Sequence, residues 1–288
     1  MIISRISGGL GNQMFQYAIA KAIATKNNDI FKLDISFYPK QSLRRYELNR
    51  FNIQETLANE SECIALRGTE NIFYKIKTKL GWNIKRPVYY KYEHHIMLFD
   101  QEIWNSSGDM YVDGFWQNEN YFNNIRNELL KDFKPRNPIS IKAECHLNNI
   151  KTMESVSLHI RRGDYVLDQN TNDAHGTCSI NYYFQAVKYL ETLLTSPHYF
   201  IFSDDIQWCK ENFSFLSNKT FVDDTENAID DLVLMKNCKH NIIANSTFSW
   251  WGAWLNENDQ KIVISPVEWF QKAEWKSLNP APASWIKL

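Results

Sequence analysis

The sequence shows no surplus of charge of either sign and no long apolar stretch. It has 32 lysines and arginines against 33 aspartates and glutamates. There is also no basic tail or stripe, which excludes the usual signature of a nucleic-acid-binding protein. No run approaches the ~20 apolar residues of a membrane-spanning helix, and no signal peptide precedes the first predicted strand, residues 2–7. We therefore expect a cytoplasmic protein without a transmembrane segment or a nucleic-acid partner, while peripheral contact with a membrane stays open.

Cysteine is scarce as well. The five cysteines are odd in number, lie far apart in the sequence and form no Cys-x-x-Cys pair. This pattern argues against both a zinc site and a disulfide framework. It is typical of reduced thiols in a cytosolic protein.

The length and the order of the predicted elements indicate two domains of the α/β class. A chain of 288 residues favours two modest domains over one large domain. In both halves short apolar strands alternate with helices, which indicates mostly parallel sheets. Pro135 and Pro138 follow a helix that we expect over residues 121–133. We therefore place an N-terminal domain at residues 1–137 and a C-terminal domain at residues 138–288.

A strand near the middle of the chain ends in two adjacent arginines. Apolar residues alternate through residues 155–160, and Gly163 then breaks the strand. Arg161 and Arg162 thus stand at the carboxyl end, where parallel sheets bind their ligands. Guanidinium groups are planar, permanently charged donors that suit phosphate, although a surface ion-pair patch is the alternative. His159 alternates with the apolar strand residues, which is compatible with a structural or a catalytic role.

More polar side chains follow the later strands. Asp204 and Asp205 end one predicted strand, and residues 223–224 add two more aspartates after the next. These carboxylates suit metal ligation, helix capping, or hydrogen bonds to ribose hydroxyls or a guanine edge. Residues 245–249 precede a helix expected to begin at Trp250, where they form either a phosphate cradle or an ordinary cap. Because parallel strands share one carboxyl edge, these groups together predict one site.

A glycine-rich turn follows the first strand. Residues 8–12 precede a helix expected from Gln13 to Lys26, and the next strand ends on Asp34. Such a βαβ unit offers backbone N–H groups and a positive helix end to an anion. The third glycine position of the dinucleotide-binding fingerprint holds Met14, so that fingerprint is incomplete.

Four motifs occur in order along nearly the whole chain, between residue 3 and about residue 266. They are Gly8-Gly9-Leu10-Gly11-Asn12-Gln13-Met14-Phe15-Gln16, His159-Ile160-Arg161-Arg162-Gly163-Asp164, Phe202-Ser203-Asp204-Asp205 and Asn245-Ser246-Thr247-Phe248-Ser249-Trp250-Trp251-Gly252-Ala253. Together they resemble the α-1,2-fucosyltransferases of glycosyltransferase family 11. We expect no N-terminal membrane anchor, and in this respect the chain is more similar to the bacterial members.

The resemblance implies a GT-B fold, in which an acceptor-side and a donor-binding Rossmann-like domain face each other across a cleft. It implies that L-fucose is transferred from GDP-β-L-fucose to the 2-hydroxyl of a terminal β-galactoside, with inversion. It also implies surface-glycan or O-antigen biosynthesis, no cofactor and no metal at the site. For a bacterial enzyme of this kind, peripheral contact at the inner membrane stays open.

The resemblance also assigns roles to individual residues. The expected catalytic residues are Arg161, Arg162, Asp164 and His159. Asp164 is either the base or the partner of an arginine, and Asp168 and His175 lie on the same expected loop, residues 163–179. The expected donor-binding residues are Gly9, Gly11, Asn12, Arg161, Ser203, Asp204, Asp205, Asn245, Ser246, Thr247, Phe248 and Ser249.

Three alternatives stay open. Another GDP-fucose-dependent enzyme that forms a different linkage would share the motifs. A nicotinamide-dependent oxidoreductase would use the glycine turn and Asp34. A non-catalytic sugar-binding protein would use the tryptophans near residue 250, although the core is the more common place for them. Residues 39–110 carry no recognisable motif, so the choice of acceptor is not predicted from them.

Overall fold

The computed structural model describes residues 1–69, 80, 86–163, 166 and 168–288. The chain divides into two compact units, Met1–Arg136 and Asn137–Leu288. This division falls beside the boundary that we placed after residue 137. Each unit contains one sheet of parallel strands that alternate with helices along the chain. The predicted α/β class with two Rossmann-like domains is therefore confirmed.

The first unit is built on a four-stranded sheet. Its elements are β1 (Ile2–Arg5), α1 (Leu10–Asn27), β2 (Phe31–Asp34), α2 (Glu60–Arg67), β3 (Tyr90–Tyr92), α3 (Gln101–Asn105), β4 (Met110–Asp113) and α4 (Arg126–Asp132), with 3₁₀ turns at Tyr38–Lys40, Leu48–Arg50, Glu119–Tyr121 and Asn123–Ile125. The strand order is β2-β1-β4-β3, and every pair is parallel.

The helix α1 forms much of the core of this unit. Met14, Tyr17 and Ala18 on its buried side are inaccessible to solvent. The helix begins at Leu10 instead of Gln13, so part of the glycine turn is already helical. It ends where Asn28 adopts a left-handed conformation with φ of 51°, a common helix terminator.

The helix expected over residues 121–133 is only partly present. Two 3₁₀ turns occupy residues 119–125, and α4 begins at Arg126. Between the turns, Phe122 has a φ of −140° and a ψ of 4°, which lie outside the helical region and interrupt the helix. Tyr121, Phe122 and Ile125 are all buried. Two short turns bury apolar residues at this spacing as well as one helix does. The predicted helix is therefore wrong over residues 121–125.

The second unit is built on a six-stranded sheet. Its elements are α5 (Ile141–Thr152), β5 (Ser155–Ile160), α6 (Gln169–His175), α7 (Ile180–Glu191), β6 (His198–Ser203), α8 (Ile206–Asn212), β7 (Lys219–Phe221), α9 (Ala228–Asn237), β8 (His240–Ile242), α10 (Thr247–Trp254), β9 (Val263–Ser265) and β10 (Ile286–Lys287), with a 3₁₀ turn at Ala273–Trp275. The order is β10-β9-β8-β5-β6-β7, all parallel. This is the strand order of the Rossmann fold, and the chain reverses direction across the sheet between β5 and β8.

The central strand β5 is buried along its whole length. Its apolar side chains pack with α7 residues such as Tyr183 and Leu190 in one core cluster. Phe200 and Phe202 of the neighbouring β6 point to the other face and pack with residues of α5 and α9. The sheet therefore has a core on both faces, which holds the ends of its strands in fixed positions.

Two further expectations concern the tryptophans and the cysteines. Trp250, Trp251 and Trp254 are buried, so their predicted place in the core is confirmed. All five cysteines are free thiols. Within the part of the chain that the structure describes, no helix is long and apolar enough to span a membrane.

Candidate active site

Three adjacent strands of the second unit end in polar side chains. β5 pairs with β6 on one side and with β8 on the other. The residues after Ile160, Ser203 and Ile242 therefore follow strands that end at the same edge of the sheet. Ligands of such sheets bind at this edge, where the strand order reverses. The topology brings the predicted arginine pair, aspartate pair and residues 245–249 to one place.

Each of the two arginines is held by a carboxylate that follows β6. Arg161 Nη1 lies 2.7 Å from Asp204 Oδ2. Arg162 Nε lies 3.1 Å from Asp205 Oδ2. The backbone N–H of Arg162 also donates to Asp204 Oδ1, at 2.8 Å. In the structure the two aspartates thus orient the guanidinium groups that the sequence predicts as phosphate ligands.

A tryptophan holds Arg162 from a second direction. The guanidinium carbon of Arg162 lies 4.0 Å from the centre of the Trp208 ring, which is a cation–π contact. Trp208 belongs to α8, and its backbone N–H donates to Asp205 Oδ1 at 3.3 Å. Asp205 therefore caps α8 with one oxygen and binds Arg162 with the other. Helix capping, one of the roles that the sequence suggested for this carboxylate, therefore occurs together with arginine binding, which was not predicted.

Gly163 leaves the space that the first ion pair needs. A Cβ atom at this position would lie 2.6 Å from Asp204 Oδ2 and 3.0 Å from Asp204 Cγ. A larger residue would therefore push the Asp204 carboxylate away from Arg161. The glycine three residues after β5 is a steric requirement of the Arg161–Asp204 pair.

The charge of Asp204 is favoured by its surroundings. Burial opposes ionisation, but Arg161 and the backbone N–H groups of Arg162 and Gly163 outweigh it and lower the pKa of Asp204. The carboxylate is therefore ionised at neutral pH. A charged Asp204 fixes the position of the Arg161 guanidinium without removing its positive charge.

His159 lies next to this pair. Burial lowers the pKa of His159 to about 4, and the positive charge of Arg161 also lowers it, whereas Asp204 opposes the shift. The imidazole is therefore neutral at neutral pH. Its ring packs edge-on against Phe248, with 5.9 Å between the ring centres. Among the described residues, its buried Nδ1 atom has no hydrogen-bond partner, so His159 is not the fully satisfied structural histidine that its strand position suggests.

Asn245 has a structural role after β8. Its side-chain amide nitrogen lies 3.1 Å from the carbonyl oxygens of both His175 and Gly176, and 3.2 Å from that of Trp269. The Cys178 thiol donates to its Oδ1 atom at 3.5 Å. Asn245 thus joins three segments around the strand end. The contacts of Asn245 in the structure are therefore structural, and its donor-binding role stays a prediction.

The helix α10 begins earlier than the sequence indicates. We expected its start at Trp250, but it begins at Thr247, and Ser246 is the N-cap without a capping bond from its side chain. The N–H of Trp250 donates to the Ser246 carbonyl oxygen at 3.0 Å. The backbone N–H groups of residues 247–249 therefore belong to the first turn and have no intrahelical acceptor. They form a positive helix end beside Phe248 and His159, as a phosphate site needs.

The remaining residues that the sequence suggested either have other partners or lie outside the residues that the structure describes. Asp164 lies outside the described residues. The expected loop 163–179 contains α6 instead, which ends at His175, whose ring lies 5.1 Å from that of Phe270. Asp223 Oδ2 lies 2.6 Å from Lys210 Nζ, and the Asp224 carboxylate contacts a histidine of α5. Both aspartates after β7 are therefore engaged by other side chains, Asp223 in an ion pair and Asp224 in a hydrogen bond.

In the first unit the glycine turn is fixed by side chains of α1. Gly8 has a φ of +76°, and a Cβ atom there would lie 2.8 Å from Asn12 Nδ2. Asn12 Oδ1 accepts a hydrogen bond from Gln117 at 3.0 Å. The buried Gln16 accepts from the Ser7 N–H at 2.9 Å and donates to the Gly114 carbonyl at 3.0 Å. Gly9 is the N-cap of α1 and Gly11 lies in its first turn.

Asp34 is fully engaged inside this unit. Its carboxylate accepts hydrogen bonds from Tyr111 Oη and from the Ser36 N–H, and it lies 3.2 Å from Arg67 Nη1. Burial raises the pKa of Asp34, but these donors outweigh it and the net shift is downward. A carboxylate that is used in this way does not serve as the ribose ligand of a nicotinamide cofactor, so the oxidoreductase alternative loses its acidic residue.

Sequence reasoning missed two residues that shape these sites. Trp208 was not singled out, although it stands three residues after Asp205, the spacing at which a helix cap meets its N–H partner. Gln16 was quoted in a motif without a role. It lies at helical spacing among the apolar residues of α1, and a polar residue on a buried helix face signals a hydrogen-bonding requirement.

The second unit combines a Rossmann-type sheet with two guanidinium groups and a helix N-terminus at the point where the strand order reverses. This combination is typical of α/β proteins that bind the phosphates of a nucleotide. The sequence model of the family described as "Glycosyl transferase family 11" matches residues 1–285. The chain belongs to this family, and the predicted family is confirmed.

Several relatives are similar to this chain over most of its length. An Escherichia coli protein named alpha-1,2-colitosyltransferase is 37% identical over 100% of this chain and 99% of its own. The E. coli O-antigen biosynthesis glycosyltransferase WbnK is 32% identical over 99% of both chains. The galactoside 2-alpha-L-fucosyltransferase Sec1 of Mus musculus is 24% identical over 90% of this chain and 65% of its own.

Proposed function

We propose that this chain transfers L-fucose from GDP-β-L-fucose to the 2-hydroxyl of a terminal β-galactoside, with inversion, during O-antigen or surface-glycan biosynthesis. Membership of glycosyltransferase family 11 supports glycosyl transfer. The name of the mouse relative supports the galactoside and the fucose, and the name of WbnK supports O-antigen. The five free thiols fit the cytoplasmic location that we expect.

One observation carries this proposal: Arg161 is held by Asp204, and His159, on which Arg161 acts electrostatically, contacts Phe248 in the first turn of α10. As the bond between fucose and GDP breaks, negative charge develops on the β-phosphate. Donors that bind this charge more strongly in the transition state than in the ground state accelerate the reaction. A guanidinium and the N–H groups of residues 247–249 supply such donors, so the proposed reaction needs neither a cofactor nor a metal ion.

The two arginines have different proposed roles. Arg161 influences His159 electrostatically, and the His159 ring contacts Phe248 in the first turn of α10. Arg162 is directed to Asp205 and Trp208, on the side of α8. We therefore assign the direct contact with the β-phosphate to Arg161, whereas Arg162 shapes the donor site. Asp164 stays the sequence-based candidate for the base that takes the acceptor proton.

Transfer of colitose is the second candidate function. It is favoured by the 37% identity with an enzyme named alpha-1,2-colitosyltransferase. Colitose is L-fucose without its 3-hydroxyl, so the two donors share the GDP group, the ring configuration and the leaving group. A site that hydrogen-bonds the 3-hydroxyl would reject the deoxy sugar strongly, whereas a site without such a contact would accept both.

Kinetics with the two donors decide between these functions. The ratio kcat/KM should be higher for GDP-fucose than for GDP-colitose with the same β-galactoside acceptor. In calorimetric titrations GDP should bind clearly better than UDP or NAD. A preference for GDP-colitose would replace the donor sugar, and equal affinity for UDP would overturn the assignment of the base.

A further inference from the structure

The guanidinium group of Arg162 is fixed at one nitrogen and open at the other two. Its Nε atom donates to Asp205 Oδ2 at 3.1 Å, and the side chain is 19% exposed. Among the residues that the structure describes, none accepts a hydrogen bond from its terminal Nη1 and Nη2 atoms. Guanidinium nitrogens arranged in this way bind two oxygens of one anion at once. Arg162 therefore has a pair of donors available at the candidate site.

Trp208 fixes the plane of this guanidinium group. The hydrogen bond to Asp205 holds only one nitrogen, so by itself it leaves the group free to rotate about that bond. The Trp208 ring lies against the face of the group, with 4.0 Å between the guanidinium carbon and the ring centre. Such a cation–π contact opposes the rotation. Asp205 at the edge and Trp208 at the face together give the Nη1 and Nη2 atoms one orientation.

The indole ring is itself held by the core of the second unit. Trp208 packs against Phe213, with 6.0 Å between the ring centres and 74° between the ring planes, and Phe213 is inaccessible to solvent. The backbone of Trp208 is fixed as well, because its N–H donates to the capping Asp205 Oδ1 at 3.3 Å. Arg162 thus lies on a rigid surface, and it has little conformational freedom left to lose when an anion binds.

We infer that Trp208 is a positioning residue for donor binding, which acts through Arg162 and orients its terminal nitrogens towards the diphosphate. The inference rests on the proposed function and adds to it the residue that prepares Arg162 for the donor. The direct contact with the β-phosphate is assigned to Arg161, so the effect of Trp208 falls on the affinity for the donor and not on the chemical step.

A double-mutant cycle on GDP affinity tests this role. In Trp208→Leu the dissociation constant for GDP, measured by calorimetric titration, should rise about fivefold, as loss of a partly desolvated cation–π contact gives. Trp208→Phe keeps an aromatic face and should retain most of the affinity. In the Arg162→Ala background Trp208→Leu should have no further effect, because the group that it orients is gone. The KM for GDP-fucose should follow the same pattern, with kcat nearly unchanged.

Two controls separate positioning from a loss of packing. Trp104→Leu in the first unit removes a contact of the same kind, since Lys26 Nζ lies 5.2 Å from the centre of the Trp104 ring. It should leave the affinity for GDP unchanged. Thermal unfolding of Trp208→Leu, with and without Arg162→Ala, measures the loss of packing, which should persist when Arg162 is absent. A merely structural role would instead lower the affinity for GDP equally in both backgrounds.

Inorganic pyrophosphate identifies the part of the donor that Arg162 meets. It should displace GDP from the wild-type chain, and its inhibition constant should rise in Trp208→Leu by the same factor as the dissociation constant for GDP. These titrations need no acceptor, so GDP binding without fucose transfer would contradict the proposed function and leave this inference intact. An equal loss of affinity in both Arg162 backgrounds, a Trp208→Phe variant as weak as Trp208→Leu, or displacement by pyrophosphate that is absent or unaffected by Trp208→Leu would overturn the inference.

Discussion

The two neighbouring arginines of the second unit meet different partners, so their loss should have different consequences. Arg161→Ala should lower kcat by about 10²–10³, or ~2.7–4 kcal/mol, as when a donor to a developing negative charge is removed. Arg161→Lys should recover only part of this, because the two-pronged geometry is lost. Arg162→Ala should mainly raise the KM for GDP-fucose. Steady-state kinetics of these three variants measure these effects.

Two outcomes of these kinetics would contradict the roles assigned to the arginines. If both alanine variants kept their activity, neither arginine would act on the leaving group. If Arg162→Ala lost more kcat than Arg161→Ala, the two assignments would have to be exchanged. The nitrogen–oxygen distance is 2.7 Å in the Arg161–Asp204 ion pair and 3.1 Å in the Arg162–Asp205 ion pair. Because Asp204 holds Arg161, an Asp204→Asn variant should lower kcat as the Arg161 variants do.

His159 should make the stability of the protein depend on pH. Its pKa is about 4 in the folded chain, below the usual 6.5. Between these values the unfolded state binds more protons. The stabilisation is therefore complete above pH 6.5 and is lost as the pH falls towards 4. In His159→Gln the free energy of unfolding should vary less over this interval, as measured by urea unfolding at several pH values.

A second group titrates in the same interval, so the comparison must be made between variants. Burial raises the pKa of Asp231 to about 6, and this carboxyl weakens the fold as the pH rises. Its contribution is the same in wild type and His159→Gln and cancels. His95→Gln, at an exposed position, is the control. The same pH dependence in His159→Gln and wild type would show that His159 is not buried in its neutral form.

At the scale of the element, α8 depends on one side chain for its cap and for its contact with Arg162. Asp205→Ala should lower the free energy of unfolding by about 1 kcal/mol, the usual value of an N-cap. It should also reduce kcat/KM for GDP-fucose, because Arg162 loses its carboxylate. Asp205→Asn keeps a capping oxygen, so stability should return while activity stays low. An Asn variant with full activity would contradict the role of the ion pair.

The strands around the site were predictable, whereas the contacts between their ends were not. Alternating apolar residues identified β5 from the sequence, and the continuous apolar run at residues 199–202 was predicted as the strand that is β6. The ion pairs depend on the register, which sets Ile160 opposite Ser203. Only this register places Arg161 and Arg162 beside Asp204 and Asp205. The two sequence segments are some forty residues apart, and nothing in either one specifies the alignment.

Two helices, α10 and α6, show why the local sequence pattern was insufficient to predict the helices around the site. The first turn of α10 contains Thr247 and Ser249, residues more typical of caps than of helix interiors. Its start was therefore placed too late. The sequence of α6, residues 169–175, is almost entirely polar and has no apolar stripe. Tertiary hydrogen bonds hold its end, since Asn245 and the backbone of Gln271 donate to carbonyl groups of residues 174–176.

At the scale of the whole molecule, positive charge is concentrated at the candidate site, while the chain as a whole has almost no net charge. The formal net charge of −1 gives no general attraction for an anionic donor. In the proposed reaction, the positive groups at the carboxyl end of β5 and at the N-terminus of α10 neutralise the departing GDP. We expect turnover to be unchanged by EDTA. Loss of activity in EDTA that is restored by magnesium or manganese would show that a metal ion carries out this neutralisation.

The product of the reaction tests the proposed function most directly. The chain is incubated with GDP-β-L-fucose and a terminal β-galactoside, and the isolated product is examined by NMR. We predict a single new sugar, L-fucose in α linkage to the 2-hydroxyl of galactose, formed together with GDP. A β linkage, attachment to the 3-, 4- or 6-hydroxyl, or release of free fucose without transfer would contradict this prediction.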